Sequence, residues 1–583
     1  MRTASSSIVC SLLLLSSTAR LHAQQVPTPK CEVRAVWLTT ASGLDWPQST
    51  DRMEQQASLR DIIRRLHAEN FNMVIFQVRA RGDAYYRSTI EPWAENLTGT
   101  LGKDPGWDPL AFLINEAHAC GIEVHAWINM CKVRSYGPSA PSVPPHVSRV
   151  HSDWVISYRG EGWLDPGIPE VRTYLENVVL DLVRNYDLDG INYDYLRYPG
   201  HDFADQASYR RYGEGINHDL WRKSNLDRIV SECYDRVTSL RPSIKIGCAP
   251  LGIFGTDTAF VSSAAQEYYQ DARSWLRSGK LDYVSPQLYW NIGGAPGEPD
   301  FIPLLRGWQK LAGNRQVYAG IGAYKGSIAR EIPAQIDSAR RFGSSGEAFF
   351  RYESIKGNGH FAGRFATPSI IPAMSWKSFA PPEAPPYVAV TEVTTNVFAL
   401  EWIAPEGVVE GDPYAYAVYR SSTREIERDD PHSLVTVVPR GATTYTDSVR
   451  APNSATYYYA VSALDRACRE GPASPVTSGT MREFLSLKGK LNEVTGLSAT
   501  VSTRSGAPTL VAYTIARRAP VTLEMISHTE NPGDTMITTL VHDTQDCGTY
   551  VVGLKEMQFT PGRYTVRLRA GQSVVEQSID LGR

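Results

Sequence analysis

The sequence predicts a (β/α)8 TIM barrel followed by two all-β sandwich domains. Three observations carry this. Eight short apolar segments alternate with amphipathic helical ones over about 350 residues. No Gly-rich phosphate turn follows an early strand, which sets aside a doubly wound open sheet. After PPEAPP at residues 381–386 the helical periods stop and short alternating strands take over.

The first strand is expected at residues 31–40 (CEVRAVWLTT). Residues 54–70 have helical spacing, with Leu59, Ile62, Ile63 and Leu66 on one face. A second strand covers 72–81. A helix follows at 107–120, with Asp108 as its cap and Pro109 at its first position. The third strand is 122–130, and a helix at 171–185 leads to the fourth, 188–197. There Ile191 and Tyr193 alternate with Asn192 and Asp194, the two-residue period of a strand, and Gly190 leaves room beside them. Helices at 225–240, 265–278, 301–312 and 332–342 precede strands at 245–250, 282–290, 317–324 and 347–354. The barrel thus spans 31–380.

Residues 387–480 place Trp402 in an early strand and TYYYAVSAL in a late one, and 485–583 form another run of short strands. Both are expected to be β-sandwiches, and the first resembles a fibronectin type III domain.

Residues 1–23 have the pattern of an export signal: Arg2, an apolar run over 8–15, then small residues up to Ala23. That run is too short to span a bilayer, and no later stretch is long enough. The expected location is periplasmic, cell-surface or extracellular. Seven cysteines remain beyond the signal, with neither zinc spacing nor a dense disulfide framework. Charged residues make up 21% and the net charge is −3, which gives no electrostatic case for nucleic acid.

Catalysis in this fold sits at the C-terminal ends of the strands. Polar and aromatic residues cluster there: Arg79 and Asp83, then His125, Trp127 and Asn129, then Asn192, Asp194 and Arg197. Gln287, Tyr289, Trp290, Tyr324 and Glu353 continue the series. Buried polar groups need partners, and a wet pocket supplies them. Amides and arginines suit sugar hydroxyls or acidic substituents, and Trp and Tyr suit the apolar face of a sugar ring. The set calls for no metal and no cofactor. His125 stands alone, which favours a hydrogen-bonding wall over a metal ligand. Paired carboxylates hydrolyse glycosidic bonds.

Residues 189–195 (DGINYDY) are similar to the fourth-strand motif of family 18 chitinases, but the place of that family's acid Glu is held by Leu196. A broader set of blocks covers the barrel: EVRAVWL (32–38), FQVRARGDA (76–84), EPW (91–93), LTG (97–99), PGWDPL (105–110), HAWIN (125–129), 189–199 and SPQLYW (285–290). In this the chain resembles glycosyl-hydrolase-like family 10, which contains an exported bacterial enzyme that cuts bare peptidoglycan glycan strands. The resemblance implies a TIM-barrel glycosidase acting on a polysaccharide, with Asp194 as the leading catalytic carboxylate. Many relatives carry a second acid after that position, where this chain has Tyr195, and Asn129-Met130-Cys131 replaces a common Asn-Pro. The partner carboxylate is expected to be Glu353, then Asp83; Glu91 and Asp257 are loop alternatives. The competing expectation is a catalytically inactive glycan-binding barrel of the cell envelope, with the β-domains as attachment modules.

Overall fold

The computed structural model describes residues 26–581 apart from 135–141, 255–263, 295–296, 358, 378–380, 387, 395, 406–412, 440, 450–455, 480–493, 501–509, 516–518, 529–535, 546–547, 554–558, 561 and 571–572. The expected export signal and Asp257 lie outside the described residues. The chain divides into two compact units, Met1–Ala380 with Asp465–Arg469, and Pro381–Leu464 with Glu470–Arg583.

In the first unit eight parallel strands close into a barrel. They are β1 (Val33–Leu38), β2 (Met73–Arg79), β3 (Glu123–Asn129), β4 (Gly190–Asp194), β5 (Lys245–Cys248), β6 (Tyr283–Val284), β7 (Gln316–Ile321) and β8 (Gly346–Phe349). Each pairs with its sequence neighbours, and β1 pairs with β8 to close the ring. The helices that follow β1 to β8 are α1 (Arg52–Ala68), α2 (Pro109–Ala119), α3 (Pro169–Asn185), α4 (His218–Leu240), α5 (Ala272–Arg277), α6 (Phe301–Ala312), α7 (Ile332–Arg341) and α8 (Tyr352–Ile355). Asp108 caps α2 as expected, accepting the Ala111 amide at 3.0 Å.

Two faces of each strand do different work. Val36, Leu38, Val74, Phe76, Val124, Ala126, Ile191 and Tyr193 share one core with the helices. Ala35, Trp37, Met73, Ile75, Trp127, Tyr283 and Tyr318 fill the cylinder. The two-residue period puts polar residues into that second set wherever a strand nears its end. Glycines make space for the large ones. A Cβ on Gly247 would stand 2.2 Å from the Tyr283 ring, and one on Gly190 would stand 2.5 Å from the His125 ring.

Most strands are a few residues shorter than the sequence predicts, and three departures matter for the site. β6 stops at Val284, since Pro286 has no amide to continue the ladder, although Gln287 still bridges Leu251 and Gly320. The helix expected at 265–278 splits into Ala264–Glu267 and α5, with Tyr269 at a φ of +59° and Asp271 capping α5 through the Ser274 amide. β8 ends at Phe349 and the chain turns into α8, so Glu353 does not sit on a strand end.

An insertion after β3 forms a small antiparallel sheet of Lys132–Val133, Val155–Tyr158 and Glu161–Leu164. The second unit is all antiparallel. Val388–Thr394, Val397–Trp402 and Thr444–Ser448 form a three-stranded sheet whose core, around Trp402, is shared with a five-stranded one. Leu510–Ile515 and its neighbours likewise share a core with a four-stranded sheet. Among the described residues no helix is long and apolar enough to cross a membrane. Cys120, Cys131, Cys233, Cys248 and Cys468 are free thiols.

Candidate active site

A pocket of about 300 Å³ opens at the C-terminal end of the barrel. That is at the small end of ligand pockets, roughly 300–1,000 Å³. Asp194, the last residue of β4, is 6% exposed in its wall. Its Oδ1 accepts the Tyr195 amide at 2.7 Å, and Arg197 Nη1 stands 3.8 Å from the same oxygen. Neither engages Oδ2. Burial raises the Asp194 pKa above the ordinary aspartate value; Arg197, the Tyr195 amide and the nearby Trp127 indole oppose the rise without cancelling it. Tyr195 holds a φ of +49°, an unfavourable conformation for a residue with a Cβ, and one often found at active sites. Its ring lies under Arg197 at 4.5 Å and Lys132 at 4.8 Å.

Three polar atoms around Asp194 are buried without a formed hydrogen bond: Asn129 Oδ1, Arg197 Nη1 and Trp127 Nε1, the last directed at the Asp194 carboxyl. Asn129 directs its other end away, donating from Nδ2 to the Ala80 carbonyl at 2.8 Å. Leaving such groups dry and unpaired costs about 1–3 kcal/mol each, so each calls for a water or a polar ligand here. Trp37, Trp127, Tyr289 and Phe350 give the aromatic wall, with Tyr289 stacked 5.7 Å from Phe350. Gln287 lines the pocket and donates to the Ala249 carbonyl at 3.2 Å.

Of the residues expected from sequence, Asp194, Trp127, Asn129, Arg197, Gln287 and Tyr289 therefore meet in one pocket. The others do not line it. His125 and Asn192 lie one layer deeper, both bonded to the Tyr283 hydroxyl, at 2.8 and 3.2 Å. They are buried by the rings above them and hold up the floor rather than touch a substrate. Arg79 turns outward at a β-bulge in β2 and pairs with Glu91 at 2.7 Å, both side chains fully buried. Burial works against its charge, but Glu91 and Tyr174 outweigh it, and the guanidinium is held charged. It also donates to the carbonyls of Asn129 and Met130, so it positions the end of β3. Asp83 accepts the Arg81 amide at 2.8 Å among His146, Glu91 and Arg79. Glu353 is 40% exposed beside Lys356 on α8. Trp290 and Tyr324 flank the wall, the latter 5.9 Å from Tyr289.

The sequence reading passed over Trp37, Lys132, Tyr195 and Phe350 as pocket residues. Trp37 was findable, since it continues the inward alternation of Val33 and Ala35. Lys132 was not, because the insertion after β3 that carries it has no periodic signal.

The family model for glycosyl hydrolase-like 10 matches residues 32–339. The chain belongs to the glycosyl hydrolase-like 10 family. It is 29% identical over 496 residues to the glycosyl hydrolase YngK of Bacillus subtilis (strain 168), covering 77% of this chain and 93% of that one. It is 33% identical over 326 residues to the glycosyl hydrolase DigH of Escherichia coli (strain K12), covering 50% of this chain and 73% of the other. Among solved structures, the PgaB (BpsB) glycoside hydrolase domain from Bordetella bronchiseptica is similar at a TM-score of 0.40 and 13% identity, over 59% of this chain and 99% of that one. Its family and its named relatives mark the chain as a glycoside hydrolase.

Proposed function

We propose that this glycosidase is exported and hydrolyses a bacterial polysaccharide, with peptidoglycan glycan strands as the first choice of substrate and an exopolysaccharide as the second. One observation carries the reading: a buried Asp194, its pKa raised by burial, stands among unpartnered hydrogen-bonding atoms and aromatic rings at the mouth of the barrel. A carboxyl whose pKa is raised by burial is suited to protonate a departing glycosidic oxygen. Sugar hydroxyls match the free atoms of Asn129 and Arg197, and the rings offer stacking faces. The C-terminal β-domains are proposed to attach the enzyme to the cell envelope.

Asp194→Asn should fold as the parent does and lose at least about a thousandfold in turnover on purified glycan strands, measured as new reducing ends. Near-normal release by that variant would remove Asp194 from the chemistry. A second reading, a catalytically silent glycan-binding barrel, draws on the single carboxylate among the described lining residues. It predicts strand binding with no reducing ends from the wild type.

A further inference from the structure

Hydrolysis by two carboxyl groups needs both of them at the scissile bond, about 5–5.5 Å apart for retention and about 6.5–9.5 Å apart for inversion. Among the described residues that line this pocket Asp194 is the only carboxylate. Glu353 faces solvent beside Lys356, Asp83 is tied to the Arg81 amide, and Glu91 is consumed by Arg79 and Tyr174. One acid can give and retake a proton, but it cannot also attack the anomeric carbon.

We propose that the substrate supplies the second group: the pocket takes a sugar carrying a 2-acetamido substituent, whose carbonyl oxygen attacks the anomeric carbon while Asp194 serves as acid and base. This rests on the hydrolase reading above and specifies its nucleophile. The surroundings fit an acetamide. Asn129 and Asp194 are direct neighbours across β3 and β4. The Asn129 Oδ1, 4% exposed in its residue and unpartnered, is an acceptor for the acetamido N–H, which fixes the group and sharpens its oxygen. The Trp127 N–H, in the same wall, is directed at the Asp194 carboxyl and steadies the acid. Trp37, Trp127, Tyr289 and Phe350 supply an apolar face for the acetyl methyl.

The electrons balance with no cofactor. In the first step the bond from C1 to the leaving oxygen breaks, and its electron pair stays on that oxygen, which takes the Asp194 proton. The acetamido oxygen forms its bond to C1 and leaves a bicyclic oxazolinium ion. In the second step water attacks C1, the bond from C1 to the acetamido oxygen breaks, and the Asp194 carboxylate takes the proton of water. The anomeric configuration is retained.

The test uses the full-length protein and one batch of glycan strands. Part is left N-acetylated, part is de-N-acetylated, and the de-N-acetylated strands are re-acylated with acetyl or with trifluoroacetyl groups. The amine form should lose at least about a thousandfold and the trifluoroacetyl form at least about a hundredfold in rate, while re-acetylation restores it, the scale of removing a held nucleophile. A sugar thiazoline, the stable mimic of the bicyclic ion, should bind in calorimetry whether or not turnover is seen. Cleavage of amine and trifluoroacetyl strands within about tenfold of the parent overturns the inference and leaves the hydrolase reading intact. So does a thousandfold loss in Asp257→Asn or Glu353→Gln, since either would reveal a protein nucleophile or base. Absence of thiazoline binding also overturns it. No cleavage of any strand, with no thiazoline binding, defeats both readings.

Discussion

Asp194 and Arg197 form a pair whose spacing sets a compromise. At 3.8 Å the guanidinium favours the charged carboxylate, yet burial still raises the pKa above the ordinary aspartate value. A general acid must be protonated to act, so kcat/KM should fall as pH rises through the Asp194 pKa. Removing the opposing charge should move that fall upward. Arg197→Met keeps the stem over Tyr195 and discards the charge. Its alkaline limb should lie about one pH unit above the wild type's, with the optimum rate down about tenfold for the lost donor. A pH–rate profile checks this. An unmoved alkaline limb would mean that another group donates the proton. Glu353 and Asp83 show why chain position alone misleads at this scale. Both fall next to strands, but a helical turn carries one to solvent and a backbone amide holds the other.

At the scale of elements, the ends of β2 and β3 are locked together by a buried charge. Arg79 bonds Glu91 on the loop and the carbonyls at the end of β3, and Tyr174 of α3 donates to Glu91. Glu91→Gln leaves the guanidinium buried and under-compensated, which should cost about 3–5 kcal/mol in urea unfolding. The folded fraction should also turn over more slowly, by up to about a hundredfold, because Asn129 moves with its strand. Arg79→Met with Glu91→Leu should recover most of the stability and little of the rate. Recovery of both would make the pair structural only. The strands other than β6 were legible, because alternation over four to seven residues fixes which side chains face the cylinder. Their ends were not. Pro286 and the turn at Phe350 to Tyr352 cut short two apolar runs that read as longer strands. The bulge at Gln77 to Arg79 breaks the alternation, so Arg79 leaves the inward face to which the period assigns it. His125 and Asn192 obey the alternation, but a period of two gives the face and not the depth.

For the molecule as a whole, the buried acids set a pH trend opposite to simple acid denaturation. Burial raises the pKa of Asp45, Asp165, Asp194 and Glu347, with Asp165 pushed up to about 6. For a raised acid the folded state binds protons more tightly than the unfolded one. Its contribution is therefore lost as pH rises from the unfolded value near 4 to the folded value, and is constant above. For Asp165 alone that amounts to about 3 kcal/mol between pH 4 and 6. His118 acts in the same direction. Burial would lower its pKa, but Asp189 at 2.8 Å more than offsets this, so its stabilisation is present at low pH and fades as pH rises. Glu123 opposes the trend: burial would raise its pKa, but Lys245 prevails and lowers it, so its contribution is lost only as pH falls through its depressed value. The barrel should then melt at a higher temperature near pH 5 than near pH 7.5 and weaken again below pH 4. Tryptophan fluorescence follows this unit, since 12 of the 13 Trp precede residue 381. Asp165→Asn can still accept the Gly167 amide and donate to Ser208, and it has no charge to bury. Its melting temperature relative to wild type should climb between pH 4 and 6 and then stay level. A wild type that is most stable at pH 7.5, with a pH-independent offset for the variant, would show that Asp165 ionises in the folded barrel at no cost.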